Sequence, residues 1–312
     1  MILSDFIVED SRGLYCRYGD FFLDPKVAVK HAVISHAHGD HAIPGNSQVY
    51  CTAATAKFMQ HRFKKRAAEQ FHIIDYTDSF ILNGVKISFF SAGHILGSAL
   101  IVMEYQDVRY LYTGDFKTQA DPSCDELDLQ RADVLICEST FADPQYVHPE
   151  PMQEIQKLNE ISSNIMLGAY ALGKAQRLIS LINQYCPQKQ ILLHYNILPF
   201  AAIYESFGFK LGNYKLYDRK AMKNSNAEFI YIVPPMVYHS YIKAIDVVRI
   251  FASGWKHLQN SQMQLLISDH ADWAGLLYSI EQVQPREIWT THGSGKLLQA
   301  FLESKIKVKM LN

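Results

Sequence analysis

Nowhere in its 312 residues does the sequence string together the roughly 18 apolar residues that a bilayer crossing requires. The opening MILSDFIVED lacks a basic start and turns acidic too early for a secretory signal. A cytoplasmic location with no membrane partner is therefore expected. Cysteine is sparse: the five present (Cys16, Cys51, Cys124, Cys137 and Cys186) are scattered, odd in number and never in a C-x-x-C pair. That pattern argues against a disulfide framework and for reduced, buried thiols. A dominant charge is also missing, with 30 Lys and Arg against 31 Asp and Glu and a formal net charge of -1. Such balance does not advertise a nucleic-acid binder. Two short runs, HRFKKRAA (His61 to Ala68) and YKLYDRKAMK (Tyr214 to Lys223), are locally basic, and each reads first as a solvated face and second as a binding patch. There is no internal repeat, low-complexity tract or long linker. What remains is 48% hydrophobic residues over a chain long enough for one or two globular domains.

The chain reads as α/β, in three blocks. Residues 1–148 carry short strands such as KISFFS, ALIVMEY and VRYLY, rich in β-branched and aromatic residues, with a helix over CTAATAKFMQHRFKKRAAE. Residues 149–260 alternate helices and strands: PMQEIQKLNEIS, NIMLGAY, GKAQRLISLINQYC, KQILLHYNI, LPFAAIYESFGF and EFIYIVPP. That alternation predicts βαβ units and a parallel sheet. Residues 261–312 give strand, helix, strand and helix again in MQLLISDHAD, WAGLLYSIEQV, EIWTTHG and KLLQAFLESK.

Polar chemistry concentrates at VISHAHGDHAIPG, where His36, His38, Asp40 and His41 follow an apolar run and enter a Pro-Gly turn. Burying an imidazole or carboxylate costs free energy unless it is paired. A single histidine on such a strand would be a hydrogen-bonded core residue. Four ionisable groups in six residues are hard to satisfy that way. On extended backbone, side chains alternate, so His36, His38 and Asp40 share a face. His41 joins them only if the chain turns after Gly39. The arrangement offers two ligand pairs, His36 with His38 and Asp40 with His41, for two nearby metals. Imidazole and carboxylate suit zinc, with manganese and iron as alternatives. The spacing is unlike H-E-x-x-H, whose ligands share a helix face. Further donors stand at strand ends: His94 in SAGHILGSA, Asp115 in LYTGD and His292 in EIWTTHG. Each alone would read as a turn or packing residue.

HAHGDH, followed by His94, Asp115 and His292, resembles the metallo-β-lactamase superfamily. The resemblance implies an αββα sandwich with two divalent metals at one edge. His36, His38 and His94 would hold one metal; Asp40, His41 and His292 would hold the other; Asp115 would bridge them. Members of that superfamily hydrolyse lactams, thioesters, lactones and phosphodiesters, so the fold alone leaves the reaction open. Glu138 in ICESTF and His270 in LISDHADW, separated by the α/β block, are similar to the β-CASP branch, whose members act on nucleic acids. The middle block would then be an inserted β-CASP cap. The segments SHAHGDHAIPG, DPSC, ESTFADPQY, LGKAQRL, FASGW and SDHADWAGLL further resemble the bacterial ligase-associated DNA exonucleases. These are also labelled, by analogy, mRNA 3'-end processing factors. The resemblance implies phosphodiester hydrolysis in DNA repair, single-stranded DNA as substrate, and an ATP-dependent DNA ligase and a helicase as partners.

In that scheme the two metals lower the pKa of a water and balance charge on a phosphoryl oxygen. Asp40 is the candidate proton acceptor. His270 is the candidate acid for the leaving oxygen, and Glu138 keeps it protonated. The competing structural reading makes Glu138 and His270 a plain ion pair. In GAYALGKAQRL, Gly173 opens a helix, and Lys174 and Arg177 in its first turn are candidate phosphate contacts. Packing of a βα turn is the alternative, since the segment is no Walker loop: Ala175 stands where a hydroxyl residue would be. Three other functions compete: an RNA-processing nuclease, a lactonase- or thioesterase-like hydrolase, and a non-catalytic scaffold.

Overall fold

The computed structural model describes residues 1–218, 228–240, 247–256, 262–303 and 305–311. It separates into two compact units: Met1–Ala120, Cys124–Val147 and His270–Asn312 form unit 1, and Asp121–Ser123 with His148–Asp269 form unit 2.

Unit 1 begins with β1 (Ile7–Asp10), β2 (Gly13–Cys16), β3 (Phe21–Leu23), β4 (His31–Val33), β5 (Asn46–Cys51) and β6 (Ala68–Ile73), which make one sheet in sequence order. Helix α1 (Ala53–Phe63) lies between β5 and β6, and the Thr52 side chain caps it by accepting from Thr55 N at 3.2 Å. The helix was expected to run on to Glu69 but stops at Phe63. Lys64 takes a positive φ of 54°, and Ala68–Ile73 instead pairs parallel with β5. A sheet partner overrides the helix preference of KKRAAE. The three basic residues Lys64, Lys65 and Arg66 stay exposed past a helix C-terminus, where positive charge suits the dipole. The second basic run, Tyr214 to Lys223, lies outside the described residues from position 219 onward.

The chain continues with β7 (Ser79–Leu82), β8 (Val85–Ser91), β9 (Ala99–Tyr105), β10 (Val108–Tyr112) and β11 (Val134–Glu138). Unit 2 follows. It contains α2 (Pro151–Gln156), β12 (Asn164–Gly168), α3 (Lys174–Tyr185), β13 (Gln190–Leu193), α4 (Leu198–Ser206), β14 (Lys215–Leu216), β15 (Phe229–Val233), α5 (Pro235–Ser240), β16 (Val247–Ala252) and β17 (Met263–Leu265). Its sheet runs β14-β13-β15-β12-β16-β17, and every pairing is parallel. The strands QILL and FIYIV are apolar on both faces, as parallel sheets covered by helices require. Met263–Leu265, read from sequence as opening the closing block, pairs with β16, so unit 1 resumes at His270.

The return to unit 1 adds α6 (Trp273–Val283), β18 (Glu287–Thr291), α7 (Lys296–Leu302) and β19 (Lys307–Met310). The second sheet then has the order β19-β18-β11-β10-β9-β8-β7. Leu23 and Val33 of the first sheet meet Ile87, Ile101, Tyr110, Ile136 and Trp289 of the second in a buried core. Leu276, Ile280 and Leu298 of α6 and α7 cover the far face of the second sheet, and Ala56 and Met59 of α1 cover the first. The result is the expected αββα sandwich. Each fully buried Leu, Ile or Phe contributes about 1.5–3 kcal/mol. This core, rather than the ionic groups, holds a polar edge whose unpaired members would cost about 1–3 kcal/mol each. No helix among the described residues is long and apolar enough to cross a membrane. All five cysteines are buried and outside any disulfide, and burial pushes the Cys137 thiol up to about 12, so it is no nucleophile at neutral pH.

Candidate metal centre

The donors meet because strand direction brings them to one edge. In the second sheet β8 runs parallel to β10, since both are antiparallel to β9, and β10, β11 and β18 are parallel neighbours. The carboxyl ends of these four strands carry His94, Asp115, Glu138 and His292. From the first sheet, β4 delivers His36 and His38. The chain then turns: His41 N and Ala42 N both donate to His38 O, at 3.2 and 2.9 Å. That turn after Gly39 is what lets His41 face the same way as His36. Gly114, before Asp115, has a φ of 52°, and a Cβ there would stand 2.6 Å from Ser35 Cβ. Only glycine lets the Asp115 turn pack against the His36 segment.

His36 Nε2 and His94 Nε2 approach His38 Nδ1 at 3.1 and 3.0 Å. Asp115 Oδ2 lies 3.4 Å from His36 Nε2 and 3.7 Å from His94 Nε2. The other carboxylate oxygen, Oδ1, lies 3.4 Å from His41 Nε2. One carboxylate therefore serves imidazoles on two sides. Zinc–nitrogen bonds of 2.0–2.1 Å in a tetrahedron separate ligand nitrogens by about 3.3 Å. The spacing among His36, His38, His94 and Asp115 matches that of a divalent metal's ligands, and the four donor atoms lie within 4.8 Å of one another.

A residue that sequence reasoning did not single out organises this cluster. Asp24, after β3, accepts from Ser35 N at 2.7 Å, Ser35 Oγ at 2.5 Å and Tyr112 Oη at 3.0 Å, and it pairs with His41 Nδ1 at 2.8 Å. Because the Ser35 hydroxyl donates to Asp24, its oxygen accepts from His36 Nδ1, 3.0 Å away. Both His36 and His41 thus hold a proton on Nδ1 and aim Nε2 at Asp115. Ordered outer partners of this kind select the tautomer that binds metal. The sequence signal was an Asp ending the apolar FFL strand before Pro25, the same strand-end placement as the other donors.

Electrostatics suit the same purpose. Burial, then the neighbouring His36 and His38, hold the His94 pKa well below the ordinary value, and burial lowers that of His36. Both are neutral, the form that ligates. Burial also opposes charge on His41, but Asp115 and Asp24 outweigh it and raise its pKa well above the ordinary value. Asp115 is fully buried, which favours its neutral form, yet His41, His270 and His36 hold its pKa well below the carboxylate range. A cluster that keeps its anion ionised and His36 and His94 neutral is suited to a divalent cation.

The remaining predicted residues are placed differently. His270 Nδ1 lies 2.8 and 3.0 Å from the two oxygens of Glu138, whose Oε1 also accepts from Phe116 N at 3.0 Å. Asp115, Glu138 and His270 have donor atoms within 4.8 Å of one another. Asp40 is less enclosed: its side chain is 74% exposed and its Oδ2 is 3.8 Å from His41 Nε2. The exposed His292 ring stacks on the His41 ring at 5.1 Å. A cavity of about 250 Å³ opens beside Asp40, His41 and His292, with Tyr112 also in its wall. Lys174 and Arg177 differ from the phosphate role expected of them. Both are buried within unit 2. Lys174 Nζ lies 3.1 Å from Asp269 and donates to Ile267 O; Arg177 contacts Asp269 at 3.2 Å, Asp121 at 3.5 Å and Ser268 O at 2.5 Å. Their charges face carboxylates rather than solvent, and so they brace a βα turn.

A buried set of imidazoles around a shared carboxylate, at one edge of an αββα sandwich, defines a metallohydrolase-type centre. A family model described as a β-lactamase superfamily domain matches residues 23–195, and the chain belongs to the metallo-β-lactamase superfamily. It is 28% identical over 303 residues to a probable DNA ligase of Opitutus terrae, matching 92% of this chain and 29% of that protein. It is 32% identical over 192 residues to an RNase J-like protein of Methanocaldococcus jannaschii, matching 52% of this chain and 46% of that protein. The chain therefore spans less than half the length of these two relatives. A crystal structure of an Enterococcus faecalis protein of unknown function shares the fold, with a TM-score of 0.61 at 13% identity, over 90% of this chain and 79% of that one. These relatives and the parallel α/β unit inserted after β11 put the chain in the β-CASP branch.

Proposed function

We propose that the chain is a metal-dependent nuclease that hydrolyses phosphodiester bonds, acting as a DNA exonuclease in repair. The observation that carries this reading is the Glu138–His270 pair beside Asp115. A phosphodiester releases an alkoxide, which needs a proton as it departs; a thioester's thiolate does not. His270, with Nδ1 engaged by Glu138, delivers its proton from Nε2. His36, His38, His94 and Asp115 would hold one divalent ion, and Asp115, His41, Asp40 and His292 a second, zinc being the best fit to these donors. Bound there, the ions would supply Lewis acidity at a phosphoryl oxygen and lower the pKa of a water. Asp24 and Ser35 fix the imidazoles for that task, and the exposed Asp40 carboxylate receives the proton of the attacking water. The match to a probable DNA ligase along most of this chain supports DNA as substrate and a ligase as partner. The RNase J-like relative supports a second reading, an RNA-processing nuclease with the same chemistry.

Incubation of metal-loaded protein with end-labelled linear DNA, closed circular single strands and matched RNA tests this. Linear DNA should release mononucleotides or short products, less as salt rises. Circles cut as fast as linear strands would exclude an exonuclease. Complete preference for RNA would favour the second reading, and inertness toward both would remove the nuclease assignment.

A further inference from the structure

In an open parallel sheet, ligands gather beyond the carboxyl ends of the strands. In unit 2 that edge carries an unusual set of side chains. β12 ends at Gly168, and Tyr170, two residues on, is 60% exposed. β13 ends at Leu193, and Tyr195 is 66% exposed, its ring 4.2 Å from that of the buried His194. β16 ends at Ala252, and Trp255 is 47% exposed. Tyr217, just past β14, stacks on Tyr231 at 4.2 Å with an interplanar angle of 20°. In the strand order, β13 and β12 are separated by β15 alone, and β16 is the next neighbour of β12. With strands about 4.8 Å apart, the three exposed rings are spread along the edge at roughly nucleotide-scale intervals.

Past the end of β15, the strand between β13 and β12, Met236 is exposed as well. The three rings' neighbours in the chain are small or polar: Ala-Tyr170-Ala, His-Tyr195-Asn and Gly-Trp255-Lys. An exposed large ring, repeated on the loops from strand to strand, offers π-faces to a ligand laid along this edge. Every nucleobase has a π-face, and base–aromatic stacking is how sequence-tolerant proteins hold single strands. In the chain, Asp269, the last residue of unit 2, is followed directly by His270.

We propose that Tyr170, Tyr195 and Trp255 form a stacking platform for the unpaired bases of a single-stranded nucleic acid, DNA or RNA. The proposal deepens the nuclease reading and rests on it. It supplies what the buried Lys174 and Arg177 do not, a sequence-independent hold on the strand.

The test is equilibrium binding of the metal-stripped full chain to a fluorescent oligothymidylate, the matched oligouridylate and an abasic oligonucleotide of the same length. Tyr170→Ala, Tyr195→Ala and Trp255→Ala should each weaken binding to the base-bearing strands by roughly 5- to 100-fold. Binding to the abasic strand, which keeps the phosphates, should be unchanged. Tyr195→Phe should restore wild-type affinity, because the ring and not the hydroxyl stacks. A larger effect on DNA than on RNA, or the reverse, identifies the natural strand. Equal losses on abasic and base-bearing strands, or no loss, would overturn the platform while wild-type cleavage leaves the nuclease reading standing. A wild-type chain that neither binds nor cuts nucleic acid would overturn both.

Discussion

His270 Nδ1 is held by both oxygens of Glu138, at 2.8 and 3.0 Å, although the two residues lie 132 positions apart. Glu138 is nearly fully buried, so its charge is little screened by water. If the pair supplies the proton for the leaving oxygen, His270→Ala should lower turnover on DNA by about 10²–10⁴-fold. A p-nitrophenyl phosphodiester, whose leaving group is stable as an anion, should suffer far less, and metal content should not change. Glu138→Gln should act in the same direction, less strongly. Equal losses on both substrates, or a lost metal ion, would make His270 a ligand or a structural residue.

Asp115 faces His36 through one oxygen and His41 through the other. Elemental analysis of loaded protein should therefore find about two transition-metal ions per chain, and Asp115→Ala should weaken both sites together. A variant that retains one ion at full occupancy and affinity would contradict the shared carboxylate. Chelation should abolish hydrolysis, and added zinc or manganese should restore it.

Asp24 orients His41 directly and His36 through Ser35. Loss of such an outer partner typically costs 10- to 100-fold in metal affinity or activity. Asp24→Asn should show that loss as weaker zinc binding in a competition titration with a chromogenic chelator. Unchanged metal affinity would reduce Asp24 to a packing role.

The metal-free protein should lose stability as it is acidified. Burial keeps His36 and His94 below the ordinary 6.5, so below that pH the unfolded chain binds protons that the folded one does not. The stability tied to their neutral forms is present above 6.5 and falls as pH drops beneath it. Asp24 and Asp115, held below 3.8 by their imidazole neighbours against the effect of burial, extend the loss further into acid. His41 has the opposite sign: its contribution is complete below 6.5 and is lost as pH rises through its elevated folded value. Thermal melts in chelator should thus fall from pH 7 toward pH 5. A flat or rising midpoint over that range would refute the neutral imidazoles.

Lys174 and Arg177 share Asp269 in a buried network. Arg177→Met should lower the unfolding free energy by about 3–5 kcal/mol, because Asp121 and Asp269 lose a cation in low dielectric. Urea denaturation measures this. An unchanged midpoint together with lost DNA binding would return Arg177 to a phosphate-contact role.

The sequence by itself determined the architecture and the donor inventory. Strands rich in β-branched and aromatic residues, the alternating α/β block and donors clustered at strand ends are local patterns, written in neighbouring residues such as His36, His38, Asp40 and His41. Tertiary structure decided what depends on distant partners. Whether KKRAAE stays helical was settled by the edge of β5 waiting to be paired. Which nitrogen of His36 carries its proton was settled by Asp24, twelve residues upstream, and which oxygen of Asp115 serves which imidazole by the packing of two sheets. Lys174 and Arg177 looked like phosphate ligands because a charge at a helix start reads the same in sequence whether it faces water or a buried carboxylate. Only the fold supplies Asp121 and Asp269, and a cation in low dielectric goes to the anion it can reach.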